Sequence, residues 1–233
     1  MNRSIALLEA YPRLGEGLST AARAEAGRDL LATEKRLSTG PWEPSTDALA
    51  TELGLLLLDG LLTREVRMGP GRSVELLGEG DVLRPWQEDS ASFGRVRWQV
   101  LEPARLAVLD TALSIRVCKW PPVVLVLMER VLARSRALAG HAALMSAVGI
   151  EERLQVLLWL LAEKWGSVET EGVRLEIRLP HRVLAGLIGA RRPTTSAAIS
   201  RLKRDGVLSE TVEGSWVLHG DPPELPREES AGA

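Results

Sequence analysis

Between Arg178 and Arg204 the chain places seven Lys or Arg residues (178, 182, 191, 192, 201, 203 and 204) and no carboxylate. The formal charge of the whole chain is −2, so this is a local concentration of cations. Such a patch suits phosphate, because each neutralised phosphate releases condensed counterions and only the contact surface has to be positive. In helical projection Arg192, Ser196, Ala197, Ser200 and Lys203 or Arg204 share one side. That face is small, hydroxylic and basic. Small residues let a helix backbone approach base edges, and an arginine can donate two hydrogen bonds to guanine. The chemistry is recognition of a duplex. No phosphate-binding G-x-x-x-x-G-K-[ST] loop, G-x-S-x-G or H-E-x-x-H occurs, so an enzyme has no supporting constellation. His141, His181 and His219 are far apart in sequence; the latter two flank the basic segment, where a phosphate contact is expected.

Two short helices and a hairpin are needed to hold this face outward. Val183, Leu184, Leu187 and Ile188 form an apolar helical face behind Pro180, and Gly189 follows as a residue that can take positive φ. Pro193 then falls in the first turn of a second helix, where its missing N–H is harmless. Thr195, Ala198, Ile199 and Leu202 are expected to point inward. Asp205-Gly206 closes the helix, and Val207-Leu208 pairs with Ser215 to Leu218 across Glu213-Gly214. A helix-turn-helix with a wing is the expectation.

The 233 residues are 45% hydrophobic, enough for one large domain or two modest ones. One cysteine, Cys118, excludes an internal disulfide framework and a four-cysteine metal site, and fits a reducing cytoplasm. The adjacent Lys119 suits a redox-active thiol, while a packed thiol is the plainer expectation. The first residues lack the pattern of a signal peptide, no run of 18 apolar residues suggests a membrane span, and the tail from Asp221 has the composition of a frayed end.

Upstream, residues 4–38 are expected to be helical. From Leu53 to Asp110 short apolar runs alternate with turn signals: Leu55–Leu58, Leu61–Met68, Val74–Leu77, Val96–Val100 and Arg105–Leu109. This spacing predicts an antiparallel barrel or jelly roll. Pro121-Pro122 opens a long helix in which Val124, Met128, Val131, Ser135, Leu138, Ala142 and Met145 step by four and three. That heptad stripe predicts a dimer seam, with packing along the chain's own barrel as the alternative. Glu151 to Trp165 is a further amphipathic helix. The fold class is α+β: a β-roll over residues 1–120, a long helix over 121–148, and a winged helix-turn-helix with an acidic tail over 149–233.

This order resembles the Crp/Fnr family of bacterial transcription regulators. The resemblance is strongest from Leu179 to Leu208, through Leu184, Ala185, Leu187, Ile188, Gly189, Ala190, Arg192, Thr194 and Leu202, and is also seen at Gly80-Asp81-Val82-Leu83 and Leu106–Asp110. It implies a homodimer on a two-fold symmetric operator in double-stranded DNA, an effector site in the roll, and RNA polymerase as a further partner. Arg192 matches the family's base-reading arginine and Thr194 a phosphate-contacting threonine. Ser196 and Ser200 share their exposed side; Arg191, Arg201, Lys203 and His181 are expected on phosphate. Pro193, Ala197 and Pro180 replace a frequent glutamate, a second arginine and a threonine, so the operator should differ from the best-known one. The wing carries Glu210 and Glu213 and no cation before His219.

In cyclic-nucleotide binders of the family a Gly-Glu pair follows the glycine-aspartate turn. Here Arg84-Pro85 stands there; proline donates no N–H and no carboxylate is present for a ribose hydroxyl. Ordinary cyclic AMP is not expected. Two readings stay open: Arg84, Trp86, Arg95 and Arg97 line a pocket for another anionic small molecule, or they cover a roll that binds nothing. A second functional class is also open, a sensor or protein-interaction module whose DNA contact is vestigial.

Overall fold

Four consecutive leucines, Leu55–Leu58, set the design of the first half of the chain. Successive side chains of a strand point to opposite faces, so an unbroken apolar run needs cover on both sides. The computed structural model, which describes residues 3–44, 53–86, 94–147, 149–212 and 214–223, supplies it. Leu55 and Leu57 enter one buried cluster with Trp42, Leu62, Leu77, Leu83, Trp86, Trp98, Val100 and Leu106. Leu56 and Leu58 enter another with Leu7, Tyr11, Leu14, Leu30, Leu109, Leu113 and Val123.

The chain forms two compact units, Met1–Ala139 and Gly140–Ala233. In the first, β1 (Arg3–Ala6), α1 (Leu7–Ala10), a single 3-10 turn (Pro12–Gly15) and α2 (Thr20–Asp29) lead into β2 (Leu31–Leu37) and β3 (Gly40–Trp42). Then follow β4 (Gly54–Met68), β5 (Gly71–Leu77), β6 (Val82–Leu83), β7 (Arg95–Leu109) and α3 (Thr111–Val117). The strands make one antiparallel sheet in the order β1-β2-β7-β4-β5, with β3 on β7 and β6 on β4. The runs read as separate strands before and after Asp59-Gly60 are one bent strand, β4, whose register against β7 shifts between Leu57 and Leu62. Gly60 makes the bend: its φ is +89°, and a Cβ there would lie 2.4 Å from the Pro103 carbonyl oxygen.

The expectation of helix over residues 4–38 is corrected at both ends, where β1 and β2 stand. Strand β2 is amphipathic around a buried charge. Glu34, 5% exposed, accepts hydrogen bonds from Arg36 Nε at 2.8 Å and Arg105 Nε at 2.6 Å, and Arg105 Nη1 also donates to Asp59 at 2.9 Å. The brace ties β2, β7 and β4, and its key partner lies 71 residues away in sequence. Cys118, expected to be packed, is exposed.

The long helix α4 (Pro121–Ala147) begins in the first unit and ends in the second. No single helix among the described residues is long and apolar enough to cross a membrane. The second unit continues with α5 (Ile150–Trp165), β8 (Gly166–Glu169), β9 (Gly172–Leu175), α6 (His181–Leu187), α7 (Arg192–Arg204), β10 (Leu208–Glu210) and β11 (Trp216–Leu218). Its sheet runs β10-β11-β9-β8, all antiparallel. The hairpin β8–β9 was not anticipated, although Gly166-Ser-Val-Glu-Thr-Glu-Gly-Val-Arg-Leu175 alternates as a short hairpin should.

Candidate nucleic-acid interface

Helix α6 buries Val183, Leu184 and Leu187, with Ile188 buried just past its end, and α7 buries Thr195, Ala198, Ile199 and Leu202, as their spacing predicted. The turn between them is held open by Gly189, with φ +64°; a Cβ there would run into the Met145 methyl group. The helix that follows presents Arg191, Arg192, Thr194, Ala197, Ser200, Arg201, Lys203 and Arg204 to solvent. Its first turn has no side-chain cap, and Pro193 sits at its second position. The backbone N–H groups of Arg192 and Thr194 therefore face outward beside two guanidinium groups, a good arrangement for an anion.

The hydroxyls on α7 differ in their partners. Thr195 donates to the Arg191 carbonyl at 3.1 Å, and Ser200 donates to the Ser196 carbonyl at 3.0 Å. Ser196 instead turns off the helix: its Oγ lies 2.9 Å from His181 Nδ1. The His181 ring also packs against Trp216, with centroids 6.3 Å apart.

Two of the cations expected on phosphate have carboxylate partners inside the unit. Arg201 pairs with Glu151 of α5, and Lys203 pairs with Glu210 of β10. The hydrogen bond from Lys203 holds the Glu210 carboxyl below its ordinary pKa. The wing hairpin β10–β11 is present, with Glu210 opposite Trp216; Glu213 and the tail beyond residue 223 lie outside the described residues. His219 joins the wing to the neighbouring hairpin, its ring nitrogens lying 2.7 Å from Ser209 Oγ and 2.7 Å from the Glu171 carbonyl.

Of the residues considered for an effector, Trp86, Arg95 and Arg97 do not share one face of the roll. Trp86 is buried in the inner cluster of the roll. Arg95 and Arg97 alternate along β7 with Val96, Trp98 and Val100, which pack into that same cluster, and both arginines are exposed on the other face. A charged group the sequence did not reveal lies nearby in the first unit. Arg134 of α4 donates from Nε and Nη2 to Glu75 of β5 at 2.7 and 3.0 Å, and from Nη1 to the Val82 carbonyl at 3.0 Å. Arg64 of β4 adds a bond to Glu75 at 3.4 Å. The Glu75 and Arg134 side chains are 10% and 18% exposed.

Along α4 the expected seam is partly open. Met128, Val131 and Leu138 are 56%, 51% and 38% exposed, and Ser135 and Ala142 face solvent. Val124 packs against the core of the roll, and Met145 rests by Gly189. Leu125 and Leu132, outside the predicted stripe, are 65% and 52% exposed. They step by three and four with Met128 and Ser135 and widen the same face.

Residues 152–227 match the Crp-like helix-turn-helix domain. A curated relative from Porphyra purpurea, ycf28, a candidate HTH-type transcriptional regulator, is 27% identical over 125 residues. That match covers 53% of this chain and about half (52%) of the relative's length. Among solved structures, a CooA mutant from Carboxydothermus hydrogenoformans superposes with a TM-score of 0.67 at 18% identity, over 92% of this chain and 91% of the other. A transcriptional regulator of the CRP/FNR family from Thermus thermophilus gives 0.55 at 17% identity, over 80% and 93%. At these identities the structures speak for the fold.

Proposed function

We propose that the chain is a sequence-specific DNA-binding regulator of transcription of the Crp/Fnr type, a reading supported by the Crp-like helix-turn-helix match over residues 152–227 and by the shared fold. In this reading it acts as a homodimer on a two-fold symmetric operator. The observation that carries the proposal is α7 itself: one face is buried, and the other offers an uncapped, basic first turn followed by small and hydroxylic residues. A helix of this kind enters a major groove by its N-terminal half. Arg192 reads a base edge; Arg191, Thr194 and the first-turn N–H groups hold phosphate. Arg182 and Arg204 add exposed charge, while Arg201 and Lys203 reach phosphate only by leaving their carboxylates.

The second copy docks along α4. The exposed apolar face of Leu125, Met128, Val131, Leu132 and Leu138, with small Ser135 among them and Ala142 one turn beyond, matches a parallel helix pair. Two recognition helices about 34 Å apart would then meet successive major grooves. Control by ordinary cyclic AMP is not part of the proposal: Arg84-Pro85 replaces the nucleotide-holding pair, and the roll's own Glu75 is the anion that Arg134 holds.

Selection of bound sequences from a random duplex pool tests the DNA reading. Enrichment of an inverted repeat supports it, and no enrichment at micromolar protein at moderate salt refutes it. Sedimentation of Met128→Asp tests the seam; the expected result is a monomer where the unsubstituted chain is a dimer.

A further inference from the structure

The hydroxyl on the groove-facing side of α7 that leaves its own helix is Ser196, and it bonds to His181 at the start of α6. Serine carries one O–H and two lone pairs, and neutral imidazole carries one donor and one acceptor nitrogen. A serine in the middle of a helix ordinarily bonds back to the carbonyl four residues earlier, as Ser200 does here. Holding Ser196 away from that bond fixes its rotamer. The ring that does so is half-buried and braced by Trp216 on the wing. A side chain used only to touch phosphate has no need of this environment.

We propose that His181 is a positioning residue for base recognition: its Nδ1 accepts a hydrogen bond from the Ser196 O–H, so that the Ser196 oxygen meets the groove as a hydrogen-bond acceptor. The inference rests on the DNA reading above and goes beyond it. An acceptor at this position favours a base that shows an exocyclic amine in the major groove, cytosine through N4 or adenine through N6. Guanine and thymine present only acceptors there apart from the thymine methyl, and are disfavoured. The specificity of one base step is thereby set by a residue on the other helix of the motif.

The test is sequence selection with the full chain, followed by binding isotherms on the selected operator and on duplexes changed at single base pairs. Four proteins are compared: unsubstituted, Ser196→Ala, His181→Phe and His181→Asn. Phenylalanine keeps the ring against Trp216 and removes the nitrogen. Asparagine places an acceptor oxygen near the position of Nδ1. Thermal unfolding of each variant shows whether the domain is intact. The expected result is that Ser196→Ala and His181→Phe lose preference at the same base pair of each half-site, by roughly 5- to 10-fold per half-site, and that His181→Asn regains it. Affinity for mixed-sequence DNA and its salt dependence stay as in the unsubstituted chain. Uniform weakening by His181→Phe with a flatter salt dependence would make His181 a phosphate contact and overturn the inference. So would an unchanged preference in His181→Phe, or a loss at a different base pair from that of Ser196→Ala. If the unsubstituted chain selects no sequence, the DNA reading falls and this inference falls with it. If it selects and the variants do not follow the pattern, only the inference is lost.

Discussion

Replacing Glu75 by alanine should destabilise the first unit far more than a surface change would. The Glu75 carboxylate accepts two bonds from Arg134 and one from Arg64, with the three side chains only 10%, 18% and 21% exposed. Breaking a buried pair by removing one partner costs about 3–5 kcal/mol, mostly because the other charge is left in a poor environment. Arg134 keeps its bond to the Val82 carbonyl, which points to the lower end, about 3 kcal/mol. For a unit of this size that corresponds to a fall in melting temperature of roughly 10 °C. Differential scanning calorimetry on the full chain reads it directly. The double variant Glu75→Leu/Arg134→Leu should recover most of the loss, since apolar replacement of a whole buried pair is close to neutral. A single-variant shift below about 2 °C, or a double variant worse than the sum of the single ones, would show that the pair does not join α4 to β5 in solution.

Arg192→Ala should weaken binding to the selected operator by about 1–3 kcal/mol per half-site and relax preference at one base pair, read by isotherms on substituted duplexes. Glu210→Gln should release Lys203: affinity for any duplex rises, and the slope of log K against log salt steepens by about 0.9 for each protomer. No change in that slope would mean that Lys203 does not reach the backbone. Acid should unfold the first unit early. Hydrogen bonds from Arg36 and then Arg105 depress the Glu34 pKa in the folded chain, so its contribution is present above the unfolded value, about pH 4, and is lost as pH falls through the lower folded value. In Glu34→Gln, stability should be lower near neutrality and flatter over that acid range.

The helix-turn-helix elements were legible because their signals are local. A turn glycine, a first-turn proline and helical spacing of apolar residues all lie within the short stretch from Pro180 to Arg204, and α6 and α7 follow them residue for residue. The segment 31–37 was not legible. It read as part of the helix expected over 4–38, and the Arg105 that pairs with Glu34 across the sheet lies 71 residues away in sequence. Glu75 and Arg134, 59 positions apart, were hidden for the same reason. Along α4, Met128, Val131 and Leu138 of the predicted stripe are exposed, whereas Val124 packs against the roll and Leu125, off the stripe, is open to solvent; period alone does not separate these two. Of the residues grouped with Arg84, Trp86 is buried in the inner cluster, while β-strand alternation sends Trp98 inward and Arg95 and Arg97 outward.

The doubly covered leucine run has a consequence for how the first unit comes apart. Leu55 and Leu57 belong to one cluster and Leu56 and Leu58 to the other, so neither can melt while the other stays whole. The amide protons of this segment should therefore be among the last in the chain to trade with deuterated solvent, at a rate governed by complete unfolding instead of local breathing.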